Sequence, residues 1–386
     1  MPDEVFQKLD AELTRGGSEH LLTLLADQFR TEQKFHELFD VLLMRERLRL
    51  KLPPTTTSID ELPEPTRSQL ENAYLNICRD VGELLLSQQK VREAWPYLRP
   101  LGDRAFVAAR LAEIKPDEDN LQALVEILLH EGIDVSRGYQ LVLDHYGTCN
   151  AISAFEGLVM TKSLADRQEA AEKLIRQVHE ELSVNLRADF EQREGAPPQE
   201  STLRELLATR PGQVGDSYHI DTSHLASTIR YARMLEHPES IRLALDLAEY
   251  GRALLPQYQF ADQEPFVDAY AMHSLFFAAQ LGESVDDALK TFRQRAEQVD
   301  AYREGTLAAE VYVVLLARLG RHAEAIDAAA KMLPPGTHTT GFAPTLMQLC
   351  QQAGDYTQLL RVCRERDDQV GYTAALLAQA HCSRAS

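Results

Sequence analysis

The sequence predicts an all-α fold, on three observations. Leucine and phenylalanine recur at three- and four-residue spacings through nearly every readable segment, the period of a helix with one buried face. No stretch alternates apolar and polar residues as a half-buried strand does; the β-branched residues sit singly within helical patterns. Runs rich in proline, glycine or threonine break the pattern at two places, around residues 52–65 and 193–221.

Taken in order, residues 20–29 and 34–50 carry the first helical patterns. The most basic stretch, RERLRLK at 45–51, reads as the solvated face of a helix, because Leu48, Leu50 and Leu52 interrupt it. A linker with Pro53, Pro54, Pro63 and Pro65 follows. Residues 66–98 read as two helices parted near Gln88–Lys90, and the pattern continues through 120–132, where Gly132 is a stop, and through 136–147 and 164–192. Beyond a second break, with a short helix TLRELLA inside it, helices run to the end. The expected organisation is N-terminal helices at 1–52, a linker at 53–66, a helical array at 67–192, an irregular connection at 193–223 and a second array at 224–386.

Within the second array, VYVVLLARLGRHAEAIDAAAKMLPP (311–335) reads as a helix ending at Gly320 and a second helix carrying Ala325. LMQLCQQAGDYTQLLRVCRER (346–366) places Gly354, Asp355 and Tyr356 in the same positions, 34 residues on. That spacing and turn resemble the tetratricopeptide (TPR) repeat, most clearly over 310–366. Looser echoes lie at 84–98, 30–43 and 276–292, where Gly282 and Ala288 are six positions apart and not five. Most tryptophan and proline positions of the family are missing; Trp95 is the only tryptophan. The resemblance implies an α-solenoid of antiparallel helix pairs with a concave groove that binds a protein or peptide, and the acidic charge favours basic or neutral peptides there if the acids line it. A non-repetitive helical bundle and a closed α/α ring are the alternatives. The ordered lysine, asparagine and arginine set with which such domains grip a terminal carboxylate has no match here.

The chain has 386 residues, beyond the usual limit for a single core. Its net charge of −19, from 59 acids against 40 bases, repels phosphate backbones and anionic lipid and argues against nucleic-acid and membrane partners. The N-terminus lacks the basic and apolar regions of a signal peptide, and no window approaches ~18 uninterrupted apolar residues. Five scattered cysteines (Cys78, Cys149, Cys350, Cys363, Cys382), none in a C-x-x-C, suit buried thiols in a reducing cytoplasm.

Two stretches carry residues with chemistry. GDSYHIDTSHLAS (215–227) places His219, Asp221 and His224 ahead of a helix that Thr222 or Ser223 is expected to cap. His273, on an apolar helical face with Phe266, Tyr270 and Phe277, could be brought to them by antiparallel helices. Imidazole and carboxylate are the donors that zinc, iron and manganese accept, and Asp268 or Tyr270 would assist as acid, base or second partner. The bland reading makes the loop a cap and His273 a satisfied core histidine. In LDHYGTCNAISAFEG (143–157), His145 could activate Cys149 as a thiolate, with Asn150 as an oxyanion donor; the bland reading makes Cys149 a small buried hydrophobe. No phosphate-binding glycine loop or nucleophile elbow is present. The leading expectation is therefore an interaction scaffold, and the alternative a helical metal-binding protein or metal-dependent enzyme.

Overall fold

The computed structural model describes residues 2–55, 58–214, 217–333 and 337–385. Among the described residues it holds eighteen α-helices and no strand, with one isolated antiparallel bridge between Ala261 and Asp268. The expected all-α class is what the chain adopts. No described helix is long and apolar enough to cross a membrane. The chain divides into two compact units, Met1–Val142 and Leu143–Ser386. Both Pro-rich segments lie inside a unit.

The first unit contains α1 (Pro2–Thr31), α2 (Phe35–Arg49), α3 (Thr66–Ser87), α4 (Val91–Leu98), α5 (Arg104–Ala112) and α6 (Leu121–Val125), which continues into a π-helical turn at Glu126–His130. The α3/α4 break falls where the sequence placed it, at residues 88–90. Each of α1, α2 and α3 packs on the next helix, and α5 and α6 return onto α3 and α4. Leu38, Val81, Ala94, Leu124 and Leu128 are buried between them, each large side chain contributing about 1.5–3 kcal/mol by leaving water. The basic stretch departs from expectation. Arg47 turns inward and donates from Nε to the Pro53 carbonyl at 2.8 Å, fastening the linker to α2.

The division between the units falls inside α7 (Val135–Gly157). Gly147 interrupts that helix with φ 77° and ψ 175°, values that a side chain would oppose. The helix stop expected there is real, but a new helical segment begins at once.

In the second unit, α8 (Leu164–Glu194) buries a stripe from Ala170 through Leu174, Val178, Leu182 and Leu186 to Phe190. The irregular connection that follows includes α9 (Leu203–Thr209) and is pinned by Arg210, which pairs with Glu194 at 2.6 Å and Glu200 at 2.8 Å. Next come α10 (Thr222–Ala232), α11 (Pro238–Ala253) and α12 (Ala269–Gln280). Helices α10 and α11 pack on α8, and α11 on α12. Gly251 permits that last approach, since a Cβ there would sit 2.2 Å from the Tyr270 ring. Helices α13 (Val285–Gln298), α14 (Leu307–Arg318), α15 (His322–Met332), α16 (Leu346–Ala353), α17 (Thr357–Glu365) and α18 (Gln369–Ala385) complete the unit. From α12 onward each helix packs on its chain neighbour, and α12 also meets α14 and α15 meets α17. Gly320 and Gly354 both take left-handed φ at the turns of α14/α15 and α16/α17, and Ala325 and Leu359, five residues on, are both buried.

Candidate functional site

The histidine loop is built around its own backbone. Asp221, not Thr222 or Ser223, caps α10: its carboxylate accepts from the amides of Ser223 (2.8 Å) and His224 (3.2 Å). The Ser223 hydroxyl and these amides hold the Asp221 carboxyl below its ordinary pKa. Gly215 and Asp216, at the head of the stretch, lie outside the described residues. His219 uses both ring nitrogens: Nε2 meets Asp189 Oδ2 at 3.1 Å and Nδ1 meets Tyr250 Oη at 3.2 Å. Its main chain is held as well, with the amide donating to Tyr250 Oη (2.8 Å) and the carbonyl accepting from Asn185 (2.8 Å).

His273 is equally committed. Its Nδ1 lies against the Ala269 carbonyl, and Nε2 accepts from Arg233 Nε at 2.8 Å. The ring stacks on Phe266 at 4.0 Å. Burial, and then the adjacent Arg233 charge, push its pKa well below the ordinary value, so the ring is neutral. Its remaining lone pair faces a guanidinium, an arrangement no metal ion shares. The donor set expected from His219, Asp221, His224 and His273 is therefore not assembled. Among the described residues no group of three or more His, Cys, Asp or Glu side chains could hold a metal ion. Asp268 caps α12 through the Ala271 amide (3.4 Å). Tyr270 is buried and its hydroxyl has no hydrogen-bond partner among the described residues. Burial, then Tyr250, pushes its pKa up to about 12, which makes it a poor acid at neutral pH.

Cys149 is exposed, which corrects the buried-thiol expectation. His145 and Asn150 are exposed too, and Asn150 donates to the Tyr146 carbonyl at 2.7 Å. No hydrogen bond joins His145 to Cys149 among the described residues, so no activated thiolate pair is formed there.

The feature that stands out instead is a cleft of about 770 Å³ in the second unit, within the size range of ligand sites. Met160 and Met234, with Val314 and Phe342, supply its apolar wall. Four arginines line it: Arg167 on α8, Arg230 on α10, Arg233 just beyond α10, and Arg318 at the end of α14. Asp262 answers two of them, Arg233 by a close contact and Arg230 at 3.4 Å, and Arg233 also lies over the Phe266 ring at 4.1 Å.

Arg318 is answered poorly. It donates to two neutral oxygens, the Arg233 carbonyl and Gln280 Oε1, each at 2.8 Å. Its carboxylate neighbour, Glu236, stands 3.8 Å away and is 61% exposed, while the arginine side chain is only 16% exposed. Burial pulls the Arg318 pKa down to about 10, evidence of an environment that disfavours its charge. The buried Nε of Arg167 has no hydrogen-bond partner among the described residues.

One wall of the cleft is the segment 340–344, and a single buried acid organises it. Glu310, on α14, accepts from the Thr306 hydroxyl (2.6 Å), the Thr340 amide (2.7 Å) and hydroxyl (2.9 Å), and the amides of Phe342 (2.9 Å) and Ala343 (3.2 Å). Burial pushes this carboxyl up, but the hydroxyl and amide donors outweigh burial and hold its pKa below the ordinary value. Sequence reading passed over both Glu310 and Arg318. Their signal was present: LAAEVYVVLLAR is apolar except for the acid near its start and the base at its end.

No protein-family model matches the chain, and no curated protein matches it.

Proposed function

We propose that this protein is a binding scaffold of the TPR-like, α-solenoid kind, and that a segment of a protein partner lies in the cleft of its second unit. The observation that carries the reading is the cleft itself: an apolar wall with a half-buried, weakly compensated arginine, in a chain of net charge −19. Side chains that fold a protein are matched by partners, and a buried charge left short of one is a place where binding can supply it. The helix packing supports the same reading. Neighbour-on-neighbour packing from α12 to α18, with left-handed glycines 34 residues apart at two equivalent turns, is what stacked helix pairs produce.

Site-directed photo-crosslinking tests it. A benzophenone side chain at position 351, on the cleft wall, should crosslink to a partner in cell extract. The same group at position 184, on the exposed face of α8, should not. Equal yields from the two positions would remove the cleft from consideration.

A further inference from the structure

We propose that the cleft recognises an acidic peptide segment, with Arg318 and Arg167 taking a side-chain carboxylate and the Met234, Val314 and Phe342 wall taking an adjacent apolar side chain. This rests on the cleft being the binding site, as proposed above, and specifies its ligand. Of the four arginines, Arg233 and Arg230 already share Asp262. Arg318 and Arg167 remain: among the described residues, Arg318 is bonded to two neutral oxygens with only the exposed Glu236 carboxylate at 3.8 Å, and Arg167 has a buried, unpartnered Nε.

A guanidinium excluded from water gains most from a carboxylate that enters with it, because the charge-assisted bond replaces lost hydration. The apolar wall selects against heavily hydrated polyanions, whose desolvation cost exceeds that of a single carboxylate. The polar part of the wall fits a peptide main chain. Gln351 and Gln352 are exposed on α16 and face the cleft, each offering one amide donor group and one acceptor. An acyl chain would leave both unused, whereas a peptide bond presents the complementary carbonyl and N–H.

Selection from a library of displayed random heptapeptides, on the full chain, tests this. The expected outcome is enrichment of sequences with Asp or Glu beside a large apolar residue. Binding of a selected peptide, followed by fluorescence anisotropy, should weaken about tenfold or more when its acid is changed to the amide, as for a lost charge-assisted bond. Arg318→Met and Arg167→Met should each weaken the acidic peptide and reduce the difference between acid and amide. Far-UV circular dichroism checks that each variant is folded; Arg167→Met, on α8, is the independent variant should Arg318→Met unfold. Enrichment without acidic preference, lost in Phe342→Ala, would overturn the acidic-peptide inference and leave the cleft reading standing. Peptides that bind wild type and the Phe342→Ala and Arg318→Met variants alike would overturn both.

Discussion

Two polar clusters of the second unit make opposite use of their charges. Around His219, every polar contact closes within the fold: Asp189 and Tyr250 take the ring, Asn185 takes the carbonyl, and Arg193 shares Asp189 at 2.8 Å. Around Arg318, the only carboxylate among the described residues, Glu236, is exposed and 3.8 Å away, and the guanidinium leans on neutral oxygens. The first cluster is complete and holds the connection before α10 in place. The second is incomplete and opens into a cleft. A group rich in metal-type donors can thus close on itself within the fold, while the uneven match of charges at Arg318 is where we propose that a partner binds.

If that contrast is right, substitutions in closed clusters change stability and substitutions in the cleft change binding. The largest stability effect is expected at Glu310, because the acid is buried and its removal takes the acceptor from the part-buried amides of Thr340 and Ala343 and leaves the Phe342 amide only the Thr340 hydroxyl. Glu310→Ala should cost about 3 kcal/mol in urea unfolding. The pH dependence has a definite sign. The pKa of Glu310 is depressed in the folded protein, so its contribution is complete above the unfolded carboxyl value of about 4.3 and is lost as pH falls through the lower folded value. The stability gap between wild type and Glu310→Gln should therefore narrow as unfolding is measured at progressively lower pH; a gap that widened would contradict the assignment.

His219→Ala comes next, at about 1–2 kcal/mol, because it strips one partner from Asp189 and one from the buried Tyr250 hydroxyl. Asp221→Ala should cost about 1 kcal/mol, the usual value of an N-cap, visible as a small fall in thermal midpoint. Cys149→Ser, at an exposed site without a hydrogen bond to His145, should change stability by less than ~0.5 kcal/mol. A large loss there would mean the thiol has a role its surroundings do not show.

Much of the fold was legible because helical period is local. The α3/α4 break, the stop at Gly147 and the turns at Gly320 and Gly354 all follow from residues within a few positions of each other. The cleft was not legible. Its arginines come from α8, α10, the residue just beyond α10, and α14, and only the packing of those helices brings them to one cavity. The histidine loop misled for a related reason: His219 beside a carboxylate reads the same in sequence whether the ring faces a metal or Asp189. Arg47 and Cys149 erred in opposite directions, one turned inward from a basic run and the other left exposed where a helix restarts. In both, tertiary packing overrode the pattern of their immediate neighbours.

One paired measurement bears most directly on the contrast: thermal midpoint and affinity for a peptide selected on the wild-type chain, in Arg318→Met and in His219→Ala. Arg318→Met should stay folded with a modest fall in midpoint, because it gives up two hydrogen bonds to neutral oxygens, and should bind about tenfold or more weakly. His219→Ala should melt lower and bind with unchanged affinity. If Arg318→Met binds as wild type does while His219→Ala loses the peptide, the cleft is not the binding site and the contrast between the two clusters is reversed.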